Sequence, residues 1–495
     1  MLNKFIKDMA IYAPSQFLPA LTAFITTPIL TRIFPPAEYG YWALAASISE
    51  FLIALAVSGY GSAVLRYYPI YESKSTLNIF FATITGSIAV SITIVAWIIL
   101  LTLLFFSDFL PTGLVPLLHI IILIFMVQSI YSVFITILRT QGRSGVFTSF
   151  QLITKYADLG LGLLLVLVFG FRVDGLLWST FLIISLLLPF LIHQTTKGVG
   201  IHIQHFHFPD ALEIWQYAWP LTLGNVAMWG LRVSDLFIIS LFRPEREVGI
   251  YSVSYSISSK SIELLVALFL LSVSPLIYST WEKEGQEATE KTLTMITRVY
   301  LLICLPAAVG LSVLALPFVS LLTAPDYYEG SRIVGFVVFS SFIWGLSNIA
   351  MLGTAIKKKA GRLGANQIIA AATHIGLQFL MVPRFGYIAA AISTLIGYTT
   401  LFVLQTLASR PHLTWRFPFK TLRNTIVAST VMGLAILGFY ILIGTSTVGS
   451  PVYLILSILV VIPVYFIFLL LMGEVNKEEK KTIIKLWYRL IGRAV

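Results

Sequence analysis

The sequence predicts an all-α polytopic membrane protein of about fourteen transmembrane helices. Three observations predict it. First, only 11% of the 495 residues are charged and 58% are hydrophobic, whereas soluble domains carry about 25% charged residues. Second, the apolar runs are continuous and about 20 residues long, the length of helix that crosses a hydrocarbon core of about 30 Å. A strand barrel would show alternating segments of about 10 residues instead. Third, one polar turn occurs twice.

That turn is Thr31-Arg32-Ile33-Phe34-Pro35-Pro36-Ala37-Glu38-Tyr39-Gly40. Its prolines end the preceding helix because they offer no amide donor, and Gly40 lets the chain reverse where a side chain would crowd. It returns as Leu241-Phe242-Arg243-Pro244-Glu245-Arg246-Glu247-Val248-Gly249, 209 positions later from glycine to glycine. At that offset Pro35 meets Pro244, Glu38 meets Glu247, Ser47 meets Ser256 and Ile48 meets Ile257. Upstream, Tyr12-Ala13-Pro14 is echoed by Tyr217-Ala218-Trp219-Pro220. A period of this length inside a membrane chain indicates two halves related by internal symmetry.

The spans fall at 9–33, 41–65, 78–105, 114–138, 146–169 and 175–193, then at 216–241, 250–277, 298–322, 331–355, 364–382 and 387–409, and finally at 424–443 and 451–472. Lys4 and Lys7 precede the first run as in a signal peptide, but the run is long, carries Pro14, Pro19 and Pro28, and lacks a small-residue cleavage site, so it reads as a retained helix. Lys and Arg residues divide 24 to 6 between the two sets of loops. The positive-inside bias therefore places both termini in the cytoplasm. Six helices per repeat is an even number, so both halves enter from the same side and an axis along the membrane normal relates them. The domains expected are 1–200 and 201–412, each a six-helix bundle, then 413–474 with two additional helices, and a tail at 475–495. In the tail Ile483, Trp487, Leu490, Ile491 and Ala494 share one helical face with bases opposite. This suits a helix on the cytoplasmic membrane surface or an exposed solvated helix.

The single cysteine, Cys304, excludes an internal disulfide and a cysteine-based metal cluster. His193, His202, His205 and His207 fit no zinc spacing, and no metal is expected. No Walker, G-x-S-x-G or H-E-x-x-H motif is present. The net charge of +11 lies in short loops, which accounts for it without nucleic acid.

Ionisable residues inside spans are costly and usually face a polar cavity or each other. Seven stand out: Glu50, Lys155, Asp158, Arg232, Asp235, Lys260 and Glu263. Six form three base-then-acid pairs three residues apart, on one helical face. Each pair either neutralises itself for insertion or lines a shared hydrated cavity and exchanges partners there. Pro14, Pro19 and Pro28 break the first helix and Pro220 marks the start of the seventh, and all four are candidate hinges. Arg66 and Arg139 close the inner ends of the second and fourth helices.

The opening turn, followed by Gly59-Tyr60-Gly61-Ser62-Ala63-Val64-Leu65-Arg66-Tyr67, resembles the start of Wzx-type polysaccharide flippases of the multidrug/oligosaccharidyl-lipid/polysaccharide (MOP) superfamily. Leu138-Arg139-Thr140-Gln141-Gly142-Arg143, Val173-Asp174-Gly175 and Val248-Gly249-Ile250-Tyr251-Ser252 resemble later landmarks of that family. The resemblance implies the MOP flippase fold, alternating access around a central cavity, and no enzymatic step. The implied substrate is an oligosaccharide on an undecaprenyl-pyrophosphate type carrier, such as an O-antigen or other surface polysaccharide unit. Arg66, Arg139, Lys155, Arg232 and Lys260 would meet its pyrophosphate and sugars, with Glu50, Asp158, Asp235 and Glu263 as charge partners. H⁺ or Na⁺ are the candidate coupling ions. Membrane lipids and other polysaccharide-assembly proteins are the expected partners, in the cytoplasmic membrane of a bacterium or archaeon. The alternatives are an ion-coupled drug or metabolite exporter of the same superfamily and, lower, a membrane glycosyltransferase, polymerase or ligase. The latter class would carry a large outer loop, which this chain lacks.

Overall fold

The computed structural model describes residues 21–106, 113–197, 199–357, 359–443 and 451–474. All secondary structure among them is helical. The helices are α1 Leu21–Ile33, α2 Pro36–Ser73, α3 Leu77–Phe106, α4 Val115–Thr140, α5 Ser144–Leu167, α6 Val173–Thr195, α7 Phe208–Phe242, α8 Glu245–Val313, α9 Ala315–Leu322, α10 Ser331–Ala350, α11 Leu352–Ile356, α12 Ala360–Phe385, α13 Tyr387–Ser409, α14 Phe419–Ile443 and α15 Pro451–Leu471. Eleven helices among the described residues are long and apolar enough to cross a membrane, and Leu21–Ile33 and Leu456–Leu471 are shorter apolar helices.

Most expected spans are found with longer ends. Two corrections concern the second half. The seventh helix starts at Phe208, so Pro220 lies inside it and does not mark its beginning. The polar start, Pro209-Asp210 onward, fits a first turn, where proline loses no hydrogen bond and an acid meets the positive end of the helix dipole. The eighth and ninth spans are joined without a loop. Helix runs on both sides of Gly285, whose φ of 78° breaks the ladder. Glycine adopts that conformation without a Cβ clash.

The chain divides into two compact units. Of the described residues, one holds 21–106, 113–197, 199–257 and 360–401. In it α2 packs on α4 and α7, α4 on α6, α5 on α6, and α7 on α12. Its tightest crossing joins the two copies of the repeated turn. A Cβ on Gly40 would meet the Glu245 carbonyl oxygen and lie 3.0 Å from the Gly249 nitrogen, and a Cβ on Gly249 would overlap the Pro36 carbonyl. Pro36 and Glu245 are themselves 209 positions apart. The contact is thus reciprocal, as at a twofold interface.

The turn glutamates follow the same rule. Glu38 accepts the Arg172 guanidinium, just ahead of α6. Glu247 accepts the Tyr387 amide at 3.2 Å, at the start of α13, and Arg243 Nε at 3.0 Å. Counted by expected spans, α6 and α13 are the sixth members of their repeats.

Of the described residues, the second unit holds 258–357, 359, 402–443 and 451–474. Its interior contains Phe269, Tyr300 and Phe342, with the Tyr300 hydroxyl donating to the Phe342 carbonyl at 2.7 Å. The segment before α14 is tied to α8: Trp415 Nε1 donates to Thr297 Oγ1 at 3.0 Å and the Thr414 amide to Glu290 at 2.8 Å. Helices α14 and α15 pack through Met432, Ile436, Val461, Tyr465 and Leu469. The Tyr465 hydroxyl donates to the Leu302 carbonyl at 2.8 Å. Beyond α15, Glu474 is buried and accepts Thr421 Oγ1 at 2.5 Å, Asn424 Nδ2 at 2.8 Å and Arg298 Nε at 3.1 Å. Lipid tails are as apolar as side chains, so such polar ties and close packing hold membrane helices together.

Candidate functional site

The candidate residues fall into three settings. Within the first unit, the charged groups of α7 differ in burial. Arg232 is exposed, while Asp235 is 1% exposed. The Asp235 carboxylate is the hub of a polar cluster drawn from four helices. It accepts hydrogen bonds from Tyr251 Oη on α8, Gln378 Nε2 on α12 and Thr394 Oγ1 on α13, the last at 3.0 Å. His374 Nε2 on α12 lies 3.1 Å from its Oδ1. His374, Gln378 and Thr394 are each 0% exposed. A carboxylate removed from water is tolerated when its lone pairs are filled, and these donors fill them. Gln378 Oε1 and the neighbouring Ser234 Oγ are buried without a hydrogen-bond partner.

His374, Gln378 and Thr394 are not among the residues that the sequence singles out, and Tyr251 is so only within a family landmark and not as a site residue. His374 and Gln378 sit four apart in an otherwise apolar stretch of α12, so their shared helical face was available as a signal. A search for formal charges passes over both.

Asp158 on α5 has acquired partners different from those expected. Ser179 Oγ donates to it at 2.6 Å and Thr180 Oγ1 at 3.1 Å, both from α6, while Lys155 is exposed. The carboxylate thereby ties α5 to α6. Lys260 and Glu263, in the second unit, do pair: Nζ to Oε2 is 3.2 Å, with the side chains 40% and 22% exposed. This pair is a partly solvated salt bridge.

At the basic ends, Arg66 is exposed and places its guanidinium 4.6 Å from the Tyr217 ring centre, within cation–π range. Beside it Tyr67 donates to Glu213 at 3.1 Å and Tyr71 to Asp210 at 2.5 Å. Arg139 occupies the last turn of α4, where a cation complements the helix dipole. Glu50 is exposed on α2. Pro28 lies in α1, where its carbonyl accepts Arg32 Nη1 at 2.7 Å, and Pro220 lies within α7. Pro14, Pro19 and the tail at 475–495 are outside the described residues. Among the described residues no three His, Cys, Asp or Glu side chains converge as a metal site would require.

This element order defines an all-helical polytopic membrane protein. The solved lipid II flippase MurJ, in its inward closed conformation, superposes with a TM-score of 0.73 at 17% identity, covering 98% of this chain and 100% of that one. An outward-facing multidrug resistance MATE family transporter of the MOP superfamily gives 0.58 at 16% identity, covering 82% and 95%. In sequence, the probable low-salt glycan biosynthesis flippase Agl15 of Haloferax volcanii is 19% identical over 356 residues, 71% of this chain and 73% of that protein. The sequence model of the family described as "Polysaccharide biosynthesis protein" matches residues 29–332. That is more than half of the chain, and the chain belongs to this family.

Proposed function

We propose that this protein is a flippase for a lipid-linked oligosaccharide. It moves an O-antigen or other surface polysaccharide unit on a polyprenyl pyrophosphate carrier from the cytoplasmic to the outer leaflet, by alternating access and without catalysing a bond change. The observation that carries the reading is the family match over residues 29–332. The physical requirement agrees with it. Sugars and pyrophosphate need a hydrated, cationic path, while the carrier lipid stays in hydrocarbon.

In this reading fourteen helices span the membrane with both termini cytoplasmic, as two six-helix bundles at 1–200 and 201–412 plus the helix pair in 413–474. The reciprocal Gly40–Gly249 crossing supports the repeat. Arg66, Arg139, Lys155, Arg232 and Lys260 meet the phosphates and sugars. Asp158, Asp235, Glu263 and Glu50 hold charge balance, and Pro14, Pro19, Pro28 and Pro220 serve as hinges. The Asp235 cluster, which joins α7 to α8, α12 and α13, is the element best built to link an ion, H⁺ or Na⁺, to helix movement.

The MATE likeness favours a second reading, an ion-coupled exporter of small molecules. Its coverage leaves out about the length of the segment 413–495, whereas the flippase match extends over 98% of the chain. Deleting the gene in its host separates the two. A flippase deletion loses surface polysaccharide and accumulates the lipid-linked unit facing the cytoplasm. Normal surface polysaccharide with heightened drug sensitivity overturns the flippase reading.

A further inference from the structure

A groove of about 590 Å³ opens beside α6 in the first unit. Its wall is apolar, formed by Val127 of α4 with Leu188, Pro189 and Ile192 of α6. Residues 199–201, in the connector that leads from α6 to α7, complete the lining beside Thr196. The connector is fixed at both ends. The Val199 amide donates to the Thr196 carbonyl at 2.8 Å and the His207 amide to Thr83 Oγ1 of α3 at 3.2 Å. The groove is therefore lined in part by a connector tied to α6 and to α3.

We propose that this groove holds one anionic phospholipid. Its size lies within the ~300–1,000 Å³ usual for small-molecule sites. Leu186 and Phe190, 62% and 61% exposed, flank it on α6. In a membrane span such side chains face lipid, so the groove fills from the bilayer and takes a hydrocarbon chain.

The mouth is basic. His193 lines it, and exposed Lys197 follows Thr196, also in the lining. Arg143 reaches the same turn, donating to the Gln194 carbonyl at 2.5 Å and to Gln194 Oε1 at 2.8 Å. An apolar wall with cations at one end matches a phospholipid with a negatively charged headgroup, not a zwitterionic one. The proposal is independent of what the protein transports.

Native mass spectrometry of the full-length protein, released from phosphatidylcholine vesicles doped with phosphatidylglycerol, tests it. The wild type should retain one phosphatidylglycerol in about tenfold preference over phosphatidylcholine. The double variant His193→Ala/Lys197→Ala, altered only at the exposed mouth, should keep one lipid and lose the preference. Ser185→Phe, which fills the groove and leaves the mouth intact, should lose the retained lipid. Equal retention of the two lipids by the wild type, an unchanged preference in the double variant, or wild-type lipid retention by Ser185→Phe would each overturn the proposal.

Discussion

Gly40 and Gly249, 209 positions apart, stand backbone to backbone where α2 and α8 begin. No side chain fits between them. A methyl group at position 249 would overlap the Pro36 carbonyl, and the backbones could separate only by disturbing both turns. Gly249→Ala should therefore lower stability by about 1–3 kcal/mol, the usual cost of overpacking. Thermal unfolding of the purified protein in detergent reads this directly. Gly61, with open space around its Cβ position, supplies the control: Gly61→Ala should unfold with the wild type. Equal melting of Gly249→Ala and wild type would remove the close crossing.

The repeated turn was legible in sequence because glycine and proline act locally. A turn that demands them leaves the same letters in both copies. The spans were legible because about 20 apolar residues have no better place than a bilayer. The second half was read less well where polarity and helix coincide. The segment Glu282-Lys283-Glu284 looks like a loop, yet it continues α8 to the break at Gly285, because charged residues are good helix formers once outside the hydrocarbon. Likewise Asp210 and Glu213 concealed the first turns of α7.

The candidate site was legible only in part, for a related reason. Spacing along one helix predicts which residues share a face, and Lys260 and Glu263 meet as expected. It says nothing of neighbouring helices. Asp158 is met by Ser179 and Thr180 from α6, and Asp235 by side chains from three other helices. Contacts of that kind depend on tertiary packing.

Asp235 should therefore be sensitive to loss of charge alone. Asp235→Asn keeps the shape but turns an acceptor towards donors as a second donor, leaving buried groups unmatched. The variant is expected to reach the membrane at normal level and to transport about tenfold slower or worse. Surface glycan and membrane protein level, measured together, check this. Wild-type transport by Asp235→Asn would show that the cluster is packing alone.

Glu474 offers a test outside the membrane spans. Burial pushes its carboxyl upward, but hydrogen bonds from Thr421, Asn424 and Arg298, with the Arg298 charge, outweigh it and hold the group below its usual 4.5. A depressed carboxylate stabilises the fold fully above its unfolded value, and the effect fades as pH falls through the lower folded value. Glu474→Gln should cost about 1–3 kcal/mol at neutral pH, and the difference from wild type should shrink below about pH 4.5. A constant difference across that range would contradict the assignment.

The pair Lys260–Glu263 distinguishes a cavity group from one needed only for insertion. The exchange Lys260→Glu/Glu263→Lys preserves neutrality but moves the positive charge by about 4.5 Å along the helix. Normal membrane level with translocation reduced about tenfold or more is expected. Wild-type translocation would assign the pair to insertion.

The most direct measurement uses purified protein in sealed vesicles loaded with a fluorescent polyprenyl-pyrophosphate oligosaccharide in both leaflets. A membrane-impermeant glycosidase added outside cleaves only the outer pool. With a flippase present, the inner pool should also become accessible, at a rate at least about tenfold above protein-free vesicles. Cleavage that stops at the outer pool with and without the protein, in vesicles where the protein is folded and an ion gradient is applied, would contradict the account.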